Sequence, residues 1–191
     1  VVTRTYDTTR RAESLDFGHG WSVDYQNVKV QTNKILGQDW VLSSTGFIIR
    51  NWCVKPNGKH TVSVTLPNGK VERFDMTVSP ECQQIIPALN VTPVFTARPG
   101  SRSKLTTSSG VLFVNGSQLL DLGTGGPFDP DSFTLTTEDN FVYQLDKNFG
   151  IRSVRDPSGN TLTYSSNGII HSGGLSVSFQ RDARGRITRI T

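Results

Sequence analysis

The feature that most constrains this chain is a short turn that recurs. Lys55-Pro56-Asn57-Gly58-Lys59 returns eleven residues later as Leu66-Pro67-Asn68-Gly69-Lys70. Asn-Gly supplies the positive φ angles of a tight hairpin, and the preceding Pro presets the entry. Between the turns Val62, Val64 and Leu66 alternate with Thr61, Ser63 and Thr65, and beyond them Phe74, Met76 and Val78 alternate with Arg73, Asp75 and Thr77. A period of two across both turns predicts a three-strand meander.

The same punctuation runs through the rest of the chain. Ser43-Ser44-Thr45-Gly46 separates Trp40-Val41-Leu42 from Phe47-Ile48-Ile49, and Asn115-Gly116 separates Val111–Val114 from Leu119-Leu120. Glu138-Asp139-Asn140, Asn148-Phe149-Gly150, Asp156-Pro157-Ser158-Gly159, Asn167-Gly168 and Arg184-Gly185 follow. Turns at this spacing predict an all-β antiparallel hairpin or meander array of about 14 to 17 strands. Composition agrees, with 21 Thr and 18 Val against 4 Ala and one Met. β-branched side chains suit a pleated surface and lose freedom in a helix, so a helix bundle is excluded. With 35% hydrophobic and 19% charged residues, so is full disorder. One short helix is expected at Ser79–Ile86, where Ser can cap, Pro sits at the first position and Glu81 lies in the first turn. Thr92–Ser109 is expected to be a long loop or an irregular edge strand, and Leu122–Pro130 an irregular connection.

Function classes narrow by what the residues do not form. The net charge is +4, and neither Arg98, Arg102 and Lys104 nor Arg181, Arg184, Arg186 and Arg189 are interleaved with aromatics as a nucleic-acid site requires. His19, His60 and His171 lack ligand spacing, and Gly123-Thr124-Gly125-Gly126 is followed by no phosphate-binding Lys. No nucleophile elbow exists. The expectation is a protein without catalysis, metal or cofactor. Cys53 and Cys82 could form a disulfide or remain two buried thiols, and the spacing does not choose. No apolar run is long enough for a membrane span. The chain opens at Val1 with no initiator Met and no leader, and reads as a piece of something longer.

The last segment repeats an earlier one. Val154–Thr163 carries Asp156 and Gly159, and Gln180–Thr188, 26 residues on, carries Asp182, Gly185 and Arg186. Each copy is strand, Asp-x-x-Gly turn, strand, and such hairpins need neighbours to bury a face. These residues resemble the YD repeat of the Rhs-type family, which includes bacterial polymorphic toxins, toxin-complex cocoons and teneurins. Phe179, Asp182, Gly185, Arg186, Ile187 and Thr188 fit the pattern, with Arg181 in place of the usual Tyr. The earlier copy keeps Asp156, Gly159, Leu162 and Thr163 and lacks both aromatics. Near the N-terminus Tyr6 and Asp7, then Phe17-Gly18-His19-Gly20-Trp21-Ser22, resemble the segment that precedes the array.

The resemblance implies a β-sheet ribbon that coils into a shell around a toxin, or scaffolds contacts at a bacterial cell surface or after secretion. Residues 1–28 would precede the array, 29–146 would be a β-meander region without an assignable repeat that could form a small separate β subdomain, and 147–191 would hold two degenerate repeats. The partners implied are the remainder of the parent polypeptide, with its further repeats and enclosed C-terminal domain, and other proteins or glycans at a surface. Asp156-Pro157-Ser158-Gly159 also resembles the setting of a self-cleaving aspartate in these shells, but without a second carboxylate motif it reads as a turn. The alternative is an independent β-sandwich that binds carbohydrate through exposed Trp21, Trp40 or Trp52.

Overall fold

A computed structural model describes residues 2–191, so Val1 of the N-terminal segment lies outside the described residues. The chain is all-β, in antiparallel sheets, as the turn spacing predicts. The N-terminal segment holds β1 (Arg4–Tyr6), β2 (Ser14–Leu15), β3 (Gly18–His19) and β4 (Trp21–Val23). β1 pairs with β4 and β2 with β3. The described helical turns are two short 3-10 pieces, Thr8–Arg10 and Asp24–Asn27.

The next stretch builds two sheets. β5 (Lys29–Thr32) is followed by β6 (Trp40–Thr45), β7 (Asn51–Pro56), β8 (Thr61–Thr65), β9 (Val71–Ser79), β10 (Cys82–Gln84) and β11 (Asn90–Ala97). Then come β12 (Lys104–Thr107), β13 (Leu112–Asn115) and β14 (Gln118–Asp121). A six-stranded sheet runs in the order β14-β13-β11-β9-β8-β5, and a three-stranded one in the order β10-β7-β6. The second Pro-Asn-Gly turn makes the expected β8–β9 hairpin. The first does not: β7 pairs with β6 and β10, and the chain leaves for another sheet at Pro56. Asn57 donates its N–H to the Asp39 carbonyl instead of closing a hairpin.

The expected helix at Ser79–Ile86 is also absent. Ser79-Pro80 is a cis peptide, and Cys82–Gln84 forms β10 against β7, with Cys82 opposite Cys53. A residue bonded across to a strand cannot also close helical i to i−4 bonds, and here the cross-strand partner is covalent: Cys53 and Cys82 form a disulfide. Of the two expectations for Thr92–Ser109, loop or irregular edge strand, the strand is the nearer: it holds the end of β11 and all of β12. β11 pairs with β9 from Thr92 to Ala97 and with β13 only at Asn90 and Val91. Pro93 therefore sits on a strand flank that no neighbour reaches, which is where a residue without an N–H is tolerated.

The last sheet is the largest. β12 pairs with β15 (Ser132–Thr136), and then each strand pairs with its successor: β16 (Val142–Asp146), β17 (Gly150–Arg155), β18 (Thr161–Ser165), β19 (Gly168–His171), β20 (Ser176–Arg181) and β21 (Ile187–Ile190). The boundary expected at residue 147 falls in the β16–β17 hairpin, inside this sheet. One core cluster draws on every segment, with Val23 and Tyr25, then Val62, Phe74 and Met76, then Phe133, Leu145 and Ile151. Phe95 of the six-stranded sheet meets Phe133 of the eight-stranded sheet edge-on, ring centroids 6.1 Å apart.

The three-stranded sheet contributes little to that core beyond Trp40 and Val54, with Leu42 packed against it. Its disulfide closes a loop across a sequence separation of 29. Replacing both cysteines, Cys53→Ser with Cys82→Ser, is expected to lower the unfolding free energy by about 3 kcal/mol through the released loop entropy. Urea titration of the variant against the native protein measures it.

Candidate functional site

Four hairpin turns of the eight-stranded sheet, and the β8–β9 turn of the six-stranded one, share one geometry. In each, the first residue donates its N–H to the carbonyl four positions on, and the fourth donates back to the carbonyl of the first. Asp156 bonds Asn160 at 2.9 Å and receives Gly159 at 3.0 Å, and Asp182 bonds Arg186 and receives Gly185, both at 2.9 Å. The same pair of bonds closes Leu66–Lys70, Thr137–Phe141 and His171–Leu175. The fourth residue always has positive φ: Gly69, Asn140, Gly159, Gly174 and Gly185. This is a three-residue loop ending in a left-handed residue, which joins twisted strands without splaying them.

The side chain in first position completes several of these turns. Asp156 accepts from the N–H and the side-chain amide of Asn160, both at 2.9 Å. Asp182 accepts from the backbone of Arg184 and Arg186 and from the Arg186 guanidinium at 2.7–2.9 Å. His171 does the same with Nδ1, which accepts from Gly173 at 2.9 Å. The Asn160 side chain holds the Asp156 carboxyl below the ordinary aspartate value, and the Arg186 backbone and side chain do so for Asp182. With Asn160 beside it, Asp156 has an amide partner where a paired carboxylate would serve peptide cleavage.

The two Asp-x-x-Gly turns lie at opposite ends of the sheet. An odd number of strands, β18 to β20, separates them. Asp156 shares its end with Thr137 and His171, so what recurs is the turn and not a stacked pair of identical hairpins. Sequence reasoning placed the Thr137 turn at Glu138-Asp139-Asn140 but missed the His171 member. Its signal was Gly174, fourth in the gap between alternating runs.

The N-terminal motif residues gather into one packed turn. The Tyr6 and Trp21 rings lie 5.1 Å apart, and the Arg4 guanidinium is 5.0 Å from the Trp21 ring. Gly20 has φ +73°, and a Cβ there would meet the Tyr6 ring at 2.6 Å. Asp7 accepts from Thr9 and donates its N–H to the Gly20 carbonyl at 2.8 Å. Gly18 lies on β3 with φ +115°.

This turn is bound to the far end of the eight-stranded sheet through Asp16 and Arg181, the position where the repeat pattern usually carries Tyr. The Asp16 side chain is 5% exposed, and the Arg181 guanidinium meets it at 2.7 Å. The other nitrogens of Arg181 donate to the Ser166 carbonyl at 2.7 Å and the Gly185 carbonyl at 2.6 Å. The Asp16 carbonyl in turn accepts the Ile187 N–H. Three bonds in a planar fork are a task for guanidinium, which a phenol cannot reproduce. Beside it Tyr25 donates to the Ser165 carbonyl at 3.2 Å and packs on Tyr164, centroids 4.9 Å apart. Burial, with the Asp16 charge adding to it, pushes the Tyr25 hydroxyl up to about 12. Between Tyr25 and the sheet lies an apolar cavity of about 280 Å³ walled by Leu162, Tyr164, Ile169 and Val177.

Other candidates fall into place as packing. Trp40, offered as an exposed sugar platform, is instead 1% exposed, donates Nε1 to the Leu36 carbonyl at 2.8 Å and stacks on His60. A core side chain fixed on both faces cannot stack on a glycan. Arg98 pairs with Asp75 and Arg102 with Glu138, so these cations answer carboxylates of the chain itself. No cluster of three or more His, Cys, Asp and Glu positioned for a metal occurs among the described residues.

Arg181→Ala leaves Asp16 as a buried, unpaired charge and is expected to lower stability by about 3 kcal/mol. In a double-mutant cycle with Asp16→Ala, urea titration should show the two losses strongly non-additive. The turn aspartates predict an acid response as well. Their folded carboxyls ionise below the ordinary aspartate range, so their stabilisation is complete above that range and disappears as pH falls through the folded values. Thermal melts in acid should fall less steeply for Asp156→Asn with Asp182→Asn than for the native chain. Compared with known proteins, the chain matches no protein-family model, no curated sequence and no solved structure.

Proposed function

We propose that this chain is a non-catalytic wall segment of a YD-repeat, Rhs-like protein, secreted or held at a bacterial cell surface. In that role a β-sheet grown hairpin by hairpin contributes to a shell around a toxin or scaffolds contacts with other proteins. The observation that carries this reading is the unbroken series from β15 to β21, in which each strand pairs with the next. A wall that lengthens by hairpins needs this connectivity, because every added pair docks on the edge left by the last. The partner would be the next stretch of the same polypeptide.

The N-terminal turn supports the reading from the other side. Its Asp16 is bonded to Arg181 and Ile187, so the segment that resembles the array's preface is fastened to the array's own strands. Besides β20, β21 bonds only that Asp16 carbonyl among the described residues. Electron cryomicroscopy of the full polypeptide that contains this chain tests the proposal. The expected result is further antiparallel hairpins continuing from β21, and a β21 edge left facing solvent would overturn it.

An open edge also has a consequence for the chain on its own. Unpaired strand edges template association, so sedimentation velocity at rising concentration should show dimers or larger species. Ile190→Lys, which puts a charge on that edge without removing a bond to β20, is expected to restore a monomer.

A further inference from the structure

The β6–β7 hairpin ends in a tip that the wall reading does not use. Phe47, Ile48 and Ile49 are 101%, 93% and 61% exposed. Thr45 is paired with Asn51, so the loop between them projects beyond the last rung of the sheet. Its shape is fixed by Gly46 at φ +94°, where a Cβ would stand 2.3 Å from the Ile49 carbonyl oxygen. β10 brings two more apolar residues to the same end. The Ile85 N–H donates to the Arg50 carbonyl at 2.8 Å, and Ile85 and Ile86 are 76% and 60% exposed. Ile85 is held at φ +73°, which a β-branched residue adopts only under constraint. Five large apolar side chains on one protrusion exceed what a soluble surface scatters singly.

We propose that this tip inserts into the outer layer of an anionic lipid bilayer. The charges around it favour that occupant. No Asp or Glu lies between Trp40 and Pro56 or between Cys82 and Val91. Arg50, next to the apolar tip, forms no ion pair among the described residues, and its guanidinium lies 6.0 Å from the Trp52 ring. The nearest acidic group on this sheet, Glu81, lies toward the far end of β7, facing Lys55. In order of depth the hairpin thus presents aliphatic and Phe side chains, and behind them Arg50 beside Trp52. A bilayer presents hydrocarbon and then an interfacial layer in which anionic headgroups attract Arg and Trp rings accumulate, so Arg50 and Trp52 fall together at one depth. A protrusion suits a fluid surface that closes around it, whereas a protein partner would have to supply a matching pocket. Binding of this kind grows with the apolar area buried and with attraction to anionic lipid. The inference does not depend on the wall proposal.

Co-sedimentation with mixed phosphatidylcholine–phosphatidylglycerol vesicles tests it. The native chain is expected to bind these vesicles more tightly than pure phosphatidylcholine, and Phe47→Asp with Ile48→Asp is expected to weaken binding at least tenfold. Phe47→Trp gives a second readout, a blue-shifted emission quenched by lipids brominated on their acyl chains. It keeps the test decisive if the double variant does not fold. Undiminished vesicle binding by a folded double variant, or no quenching in Phe47→Trp, overturns the proposal. So does a tip that buries itself against a second copy, seen as a dimer that the double variant abolishes while vesicles bind neither protein.

Discussion

The register of this protein depends on one backbone constraint: reversing the chain in three residues requires a left-handed residue at the end of the loop. Leu66, Thr137, Asp156, His171 and Asp182 all begin such a loop, and Gly or Asn always ends it. The two bonds that close each loop fix which residues face each other across the hairpin, and pleating then decides which side chains reach the core. That is why Leu135 and Leu145 are buried while Thr134 and Gln144, on the opposite face, bond each other at 2.9 Å.

The first position of the loop is less demanding than the fourth. It tolerates even Leu66, and where the residue is polar a carboxylate, a hydroxyl or an imidazole nitrogen can accept a backbone N–H. Asp156, Thr137 and His171 do so in three different ways. A repeat of geometry can therefore persist while its sequence drifts. The glycines hold because no other residue enters that conformation freely, and the residues before them vary because several chemistries do the same work.

This explains how much was legible in the sequence. Strand-and-turn alternation announced the all-β class, the Asn115-Gly116 and Asn167-Gly168 turns, and the hairpin nature of the last quarter. Pairing between sheets was not legible, because it is settled by side chains far apart in sequence. Lys55-Pro56-Asn57-Gly58 has the chemistry of a hairpin, but Trp40 and His60 stack in the core, and β7 follows β6 into a different sheet. Ser79-Pro80-Glu81 has the chemistry of a helix start, and the bond from Cys82 to Cys53 overrides it. Within the candidate site, Gly20 and Trp21 stood out locally. Asp16 and Arg181 did not, since 165 positions separate them and neither is unusual alone.

The smallest of the three main sheets shows what happens where core is scarce. β6, β7 and β10 bury few side chains, and a three-residue strand such as β10 has too few ladder bonds to hold its place. A covalent link substitutes for the missing apolar contact, as it does in small domains generally. Once the disulfide fixes β10 beside β7, the sheet no longer needs its apolar residues for its own cohesion. Phe47, Ile48, Ile49, Ile85 and Ile86 can then stand in solvent at one end without the strands coming apart. In the eight-stranded sheet the same economy is impossible: no covalent bond is present there, and its far strands hold through the buried Asp16–Arg181 pair and the packing of Tyr25 on Tyr164. The two ends of the protein thus solve one shortage of core by different means, and only the covalent solution leaves apolar surface free for another use.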